Sequence, residues 1–134
     1  MYTVLRFQEN GLSNADASRL YEEAQREFGR ERVGAHRAGG FACDISTESD
    51  PHRHMAEVEK CLLAHQDWVR RYANTEGTGP QVGIDIALEP EDYAGRSVHS
   101  VRAESALLRL LGLLGMSFEV TLYVGDGKLD SRPS

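Results

Sequence analysis

The chain has 134 residues, with 15 lysine and arginine residues against 21 aspartate and glutamate residues, for a formal net charge of −6. This length fits one domain, and 40% apolar with 27% charged residues is typical of an ordinary globular protein. The negative charge argues against a main role in nucleic-acid binding, because phosphate contacts need a dense lysine and arginine surface. No apolar run approaches the roughly 18 residues of a membrane span, and no secretory signal follows Met1. We therefore expect a cytoplasmic protein without nucleic-acid or membrane partners, either a monomer or a homodimer.

The first part of the chain predicts a strand, a helix and a hairpin. Residues 3–8 alternate between apolar and polar side chains, which is typical of a strand with one buried face. An amphipathic helix then begins near Ser13 or Asn14 and ends at Gly29, where glycine permits the left-handed stop. Gly39-Gly40 separates two strand-like runs and favours a hairpin, whose second strand points Phe41, Cys43 and Ile45 inward.

The second part begins with Asp50-Pro51, a cap followed by proline at the first helical position, and predicts one long amphipathic helix that ends in residues 74–77. Residues 82–88 alternate as a half-buried strand, and an acidic turn over 89–95 precedes a short strand over 97–101. A helix from residue 103 to Gly115 carries leucine on so many sides that we expect it to be well buried. A last strand covers residues 118–124.

These elements follow the order β-α-β-β-α-β-β-α-β. Strands with one polar side predict a two-layer α+β sandwich, in which helices cover one face of a single, mainly antiparallel sheet of ferredoxin-like type. We assign residues 1–125 to one domain and expect the polar tail, residues 126–134, to fray.

Neither cysteine lies in a metal-binding or redox motif. Cys43 and Cys61 form no Cys-x-x-Cys pair, so we expect reduced, buried thiols. On a helix, His52 and His54 would point roughly 200° apart and would not converge on a metal. Cys61 and His65 share a helical face, but two ligands do not make a site. We therefore expect neither a metal nor another cofactor.

The same two side chains, Cys61 and His65, also suggest a nucleophile and its general base. A thiol in the middle of a helix is a poor candidate, because activated thiols lie at exposed helix starts. Phosphate-binding glycine motifs are absent from the sequence as well. We accordingly predict no catalytic residue and no enzyme activity.

The carboxylates of two turns are the candidate partner-binding residues. They are Glu48 and Asp50 in one turn and Glu89, Glu91, Asp92 and Tyr93 in the other. The simplest interpretation is a solvated acidic rim. The alternative is a docking surface, because carboxylates beside an aromatic anchor accelerate the capture of a basic partner. Arg6, Asp44, Asp85 and Glu119 are expected on the open face of the sheet, which could also bind a partner.

A further signal lies in the C-terminal half. The helix that opens with His54-Met55-Ala56-Glu57-Val58-Glu59, the segment from Ser100 to Leu110 and the run from Leu114-Gly115 to Tyr123 cover about the last eighty residues in outline. A helix that closes in Leu-Gly before a strand ending in an aromatic residue resembles a bacterial family of unknown function, DUF four-two-seven-nine. It is also similar to small immunity proteins that neutralise a toxin from neighbouring cells. The resemblance transfers no functional residues.

Three functional hypotheses follow. The leading one is a non-enzymatic, acidic protein-binding module, most plausibly an immunity-type inhibitor that occludes a basic bacterial toxin with the turn around Glu91. The second is a small ligand-binding protein or enzyme with a pocket between helices and sheet that uses Cys61 and His65. The third is a structural homodimer formed through the open face of the sheet.

Overall fold

A computed structural model describes residues 1–8, 11–35, 40–73, 81–95 and 100–124. The strands are β1 (Tyr2–Phe7), β2 (Val33–Ala35), β3 (Phe41–Ser46), β4 (Val82–Leu88) and β5 (Ser117–Leu122). The helices are α1 (Asn14–Phe28), α2 (Pro51–Ala64), α3 (Gln66–Ala73), α4 (Pro90–Tyr93) and α5 (Ser105–Leu114), with a short 3₁₀ turn at Arg30–Arg32.

The strands form one mixed sheet in the order β2-β3-β1-β4-β5. The neighbours β2–β3, β3–β1 and β1–β4 are antiparallel. The first four strands thus have the order of the ferredoxin-like βαββαβ unit. A further helix, α5, then adds β5 parallel to β4 at the edge. The predicted α+β fold, with helices packed on one mainly antiparallel sheet, is confirmed.

The core lies between the sheet and its helices. Phe7 on β1 is fully buried and stacks on Phe41 at a centroid distance of 4.7 Å. Edge contacts join Phe7 to Trp68 and Tyr72 of α3, while Phe28 closes the cluster from α1 at 6.2 Å. These aromatic side chains supply much of the buried apolar area that holds the two layers together.

Local signals in the sequence place several helix ends and one hairpin. Ser13 caps α1 by accepting the Asp16 N–H at 3.2 Å, and Gly29 ends the helix with φ of 100°. Asp50 caps α2 in the same way, and Pro51 is its first residue. Gly40, with φ of 73°, lies directly before β3, the second strand of the hairpin; a Cβ there would lie 2.0 Å from the Phe7 carbonyl oxygen. Only glycine fits this approach.

The predicted long helix is two helices. The helix is interrupted at His65, which has φ of −116° and is the C-cap of α2. Its imidazole packs against the ring of Phe28 at a centroid distance of 4.5 Å, with the two rings tilted by 48°. The break redirects the chain, so that Trp68 and Tyr72 of α3 reach the aromatic cluster around Phe7.

Burial at the C-terminal end differs from the prediction. The strand β4 is buried on both faces rather than half-buried. In α5, Leu108 and Leu113 are 52% and 65% exposed, although we expected the whole helix to be buried. The predicted strand over 97–101 falls mostly outside the described residues, and Ser100 and Val101 are not in a strand. The tail, residues 126–134, also lies outside the described ranges.

Candidate functional site

Both predicted acidic turns lie at the same end of the sheet. The strands β3 and β4 are each antiparallel to β1, so they run in the same direction and their C-terminal ends lie at the same end of the sheet. Glu48 and Asp50 follow β3, and Glu89, Glu91 and Asp92 follow β4. Only β1 separates the two strands, which puts the turns about 10 Å apart. We call these five carboxylates, together with Tyr93, the acidic end.

Several of these carboxylates also stabilise the fold. Asp50 accepts the Arg53 N–H at 2.9 Å as the cap of α2. Asp92 accepts the Glu89 N–H at 2.8 Å and lies 2.6 Å from the backbone ammonium of Met1. Glu91, by contrast, is exposed on the outer side of α4. Among the three carboxylates of this turn, Glu91 is therefore the best placed to meet a partner.

Tyrosines connect the acidic end to the open face of the sheet, the face that the helices leave uncovered. The Tyr93 hydroxyl donates to the carbonyl of Tyr123, which follows β5. Burial, a hydrogen bond to Tyr123 and the charges of Glu89 and Asp85 raise the pKa of Tyr2 to about 12. Hydrogen bonds thus link Tyr2 and Tyr93 through Tyr123. The sequence did not reveal that Tyr2 and Tyr123 join Tyr93, because the arrangement of the strands brings them together.

The open face carries a row of carboxylates across the sheet. Asp44 and Asp85 both pair with Val4, from opposite sides, and Asp85 pairs with Glu119. Arg6 lies in the adjacent row and contacts Glu119 at 3.6 Å. All four side chains predicted for this face are therefore on it. Asp85 is only 8% exposed and accepts the Thr121 hydroxyl at 2.8 Å.

Cys61 and His65 do not form a nucleophile–base pair in this arrangement. His65 Nδ1 lies 2.6 Å from Glu27 Oε2, and the Cys61 sulfur lies 3.9 Å from a guanidinium nitrogen of Arg32. Burial raises the pKa of the Cys61 thiol although Arg32 opposes it, and burial raises that of Cys43 to about 12. Both cysteines are free thiols, and neither environment favours the thiolate.

His54 occupies a fully buried position that the sequence did not reveal. Its Nδ1–H donates to the Glu48 carbonyl at 2.8 Å, which leaves Nε2 to accept from the Thr3 hydroxyl at 2.5 Å. Ser46 Oγ lies 3.1 Å from Nδ1. Burial lowers the pKa of His54, against the effect of the Glu48 hydrogen bond. With Thr3 and Ser46 also buried, the cluster anchors α2 to the sheet and is closed to a substrate.

An apolar cavity of about 280 Å³ lies between the start of α2 and the segment before α5. Met55, Ala56 and Leu107 supply much of its apolar wall, and the charged residues Glu59 and Arg102 also line it. Its volume is close to the lower limit of small-molecule sites. It lies away from Cys61 and His65, so the pocket predicted around those two residues is not the one formed here.

Comparison with known proteins gives no relative: no family model, curated protein or solved structure matches the chain. The resemblance to DUF four-two-seven-nine and to immunity proteins therefore stays a prediction. In the described part of the chain, no helix is long and apolar enough to span a membrane. Within the same residues, no three histidine, cysteine or acidic side chains are placed to hold a metal ion.

Proposed function

We propose that this chain is a non-enzymatic protein-binding module that captures a basic partner protein at its acidic end. The biological form that we favour is an immunity-type inhibitor, which would occlude the basic active site of a bacterial toxin. The observation that carries the proposal is the convergence of both acidic turns at one end of the sheet. Because the two turns are separate in sequence, only the parallel direction of β3 and β4 brings their charges together.

The chemistry of this surface supports the proposal. Among the described residues, the five carboxylates of the acidic end outnumber the Met1 ammonium, Arg53 and Arg102 beside them, so the local charge is negative. Such a charge accelerates encounter with a basic protein. Tyr93 and Tyr123 add aromatic surface of the kind that anchors interfaces. Glu119 adds one exposed carboxylate on the open face, although Arg6 lies 3.6 Å from it.

A pair of charge-matched variants tests the proposal. Glu48→Lys/Glu91→Lys reverses charge at the acidic end without removing the cap carboxylates Asp50 and Asp92. Glu22→Lys/Glu31→Lys makes the same net-charge change at exposed positions on α1 and the 3₁₀ turn. The bait is the purified chain in an extract of its native cells, and captured proteins are identified and then purified for kinetics.

The expected result is a stoichiometric basic partner that binds the wild type and the control variant but associates at least about tenfold more slowly with the acidic-end variant. The difference should shrink at high salt, because screening removes long-range attraction. Equal association rates for the two variants would refute the acidic end as the interface. Inhibition of the partner's own activity by the wild-type chain would identify the immunity-type role.

The second candidate function, small-ligand binding, rests on the cavity beside Met55 and Leu107. Its apolar wall and charged rim suit a small amphipathic molecule. Ala56→Trp would fill the cavity, whereas Ala64→Trp places the same side chain at an exposed position of the same helix. A compound that raises the Tm of the wild type and of the Ala64 variant, but not of the Ala56 variant, would establish this site. Equal shifts in all three would exclude it.

A further inference from the structure

The strand β5 is exposed on both its faces and along its outer edge. Its apolar side chains, Phe118, Val120 and Leu122, are 40%, 45% and 54% exposed. They share a sheet face with the core residues Ile84 and Ile86, because Ile84 pairs with Phe118 and Ile86 with Val120. The helical layer that covers β4 thus ends before it covers β5.

Val124, just after β5, is 62% exposed. The helix α5, which contacts β5, also exposes Leu108 and Leu113, by 52% and 65%. Contiguous exposed apolar area of a few hundred Å² usually marks an interaction site on a soluble protein.

Backbone N–H and C=O groups of β5 also point away from β4. Tyr123 N–H donates to the Leu88 carbonyl, toward β4. Alternate residues of a strand direct their backbone groups to opposite sides, so Phe118, Val120 and Leu122 present their N–H and C=O groups to the free edge. In the described part of the chain no strand pairs with this edge, and such an edge is a template for another strand.

We propose that β5 pairs with β5 of a second copy of this chain, antiparallel and with the two-fold axis at Val120. In this register Val120 faces its own copy, and Phe118 faces Leu122 of the other copy, so all three outward-directed residues form interchain hydrogen bonds. On the opposite face, Glu119 meets Thr121. The five-stranded sheets would join into one continuous sheet.

The sequence of β5 suits pairing with a second copy, because this register sets Phe118, Val120 and Leu122 opposite apolar side chains only. Glu119, the one charged residue of β5, lies opposite Thr121 and not directly opposite its own copy, where like charges would repel. Each Glu119 retains its contact with Arg6 within its own protomer. A two-fold axis also closes the assembly at two chains, which removes an edge that would otherwise favour aggregation. No residue of the acidic end belongs to β5, so the dimer does not rest on the proposed function and is tested separately from it.

The test measures the oligomeric state of the full chain by sedimentation equilibrium over a micromolar concentration series. Val120→Lys puts two ammonium groups opposite each other, and Leu63→Lys makes the same change at a 48% exposed position on α2. We expect dimers for the wild type and the Leu63 variant, and an increase of more than about tenfold in the dimer dissociation constant for Val120→Lys. A monomeric wild type, or equal dissociation constants for both variants, would overturn the proposal.

The register is tested separately with a short bis-maleimide cross-linker. In a Cys61→Ala background, Val120→Cys should give covalent dimers efficiently, because the two-fold axis places the two thiols side by side. Leu63→Cys, in the same background, should not. If only the Leu63 variant cross-links, or a dimer forms in which Val120→Cys stays unlinked, another surface forms the dimer and β5 pairing is wrong.

Discussion

The imidazole of His54 joins α2 to the first strand, because its Nε2 lies 2.5 Å from the Thr3 hydroxyl oxygen inside the core. Its Nδ1–H donates to the Glu48 carbonyl at 2.8 Å, and burial favours the neutral ring by lowering the pKa of His54. This contact also positions the turn that carries Glu48, one of the acidic-end carboxylates. The buried His54 therefore both stabilises the fold and positions part of the candidate interface.

Acidification should destabilise the protein through His54. Burial lowers its pKa in the folded state below the usual 6.5, so below that pH the unfolded chain binds a proton that the folded chain resists. The free energy of unfolding should therefore decrease as the pH is lowered below 6.5. The decrease is at most about 1.4 kcal/mol per pH unit for one proton. Urea denaturation of wild type, His54→Gln and the exposed control His52→Gln checks this. The dependence of the unfolding free energy on pH should be weaker in His54→Gln alone. The same pH dependence in all three proteins would contradict the prediction.

Substitution of Gly40 should destabilise the hairpin. Gly40 has positive φ, and an added Cβ would lie 2.0 Å from the Phe7 carbonyl oxygen. Gly40→Ala should therefore lower the free energy of unfolding by at least about 1–3 kcal/mol. Gly34→Ala, in the short partner strand, meets no atom within 4 Å and should be neutral or slightly stabilising. Equal unfolding free energies for the two variants would show that the close approach is absent.

Loss of the Thr121 hydroxyl should leave a buried carboxylate without its donor. Thr121 donates to Asp85 at 2.8 Å, and Asp85 is 8% exposed. Thr121→Val should lower the free energy of unfolding by about 1–3 kcal/mol, because the desolvated acceptor stays unsatisfied. Thr121→Ser keeps the hydroxyl and should retain most of the stability. If chemical denaturation gives Thr121→Val a free energy of unfolding equal to or above that of Thr121→Ser, the hydrogen bond does not stabilise the sheet edge.

The cysteines should react slowly with alkylating reagents at neutral pH. Burial raises the pKa of Cys43 to about 12 and raises that of Cys61 as well, so little thiolate is present. Iodoacetamide labelling followed by intact mass should be far slower for the folded chain than for the chain in urea. Rapid labelling of Cys61 in the folded protein would instead support a reactive thiol and revive the catalytic hypothesis.

Much of the fold was predictable, because its signals are local. Alternation over Leu5 and Phe7 placed the first strand, and the caps Ser13 and Asp50 placed two helix starts. A side chain that hydrogen-bonds its own turn carries this information in a few consecutive residues. The break at His65 was missed because the apolar spacing continues through it, and the contact with Phe28 is made by a residue distant in sequence.

The candidate site shows a similar division. The acidic turns were visible in the sequence as runs of carboxylates, but their meeting at one end depends on the direction of β3 and β4. Tyr2 and Tyr123 lie near this site only because the strands that carry them are brought together in the sheet. The buried contacts of His54 were equally hidden, since Thr3 is distant in sequence.

The sequence alone determined where most strands and helices begin and end, which strand faces are apolar, and that two turns are rich in carboxylates. These properties follow from backbone propensity and from the spacing of side chains over a few residues. The tertiary structure alone decided that β4 is buried on both faces and that β5 is an exposed edge. Burial depends on which elements become neighbours: α3 packs against β4, whereas Phe118 and Val120 of β5 stay 40% and 45% exposed.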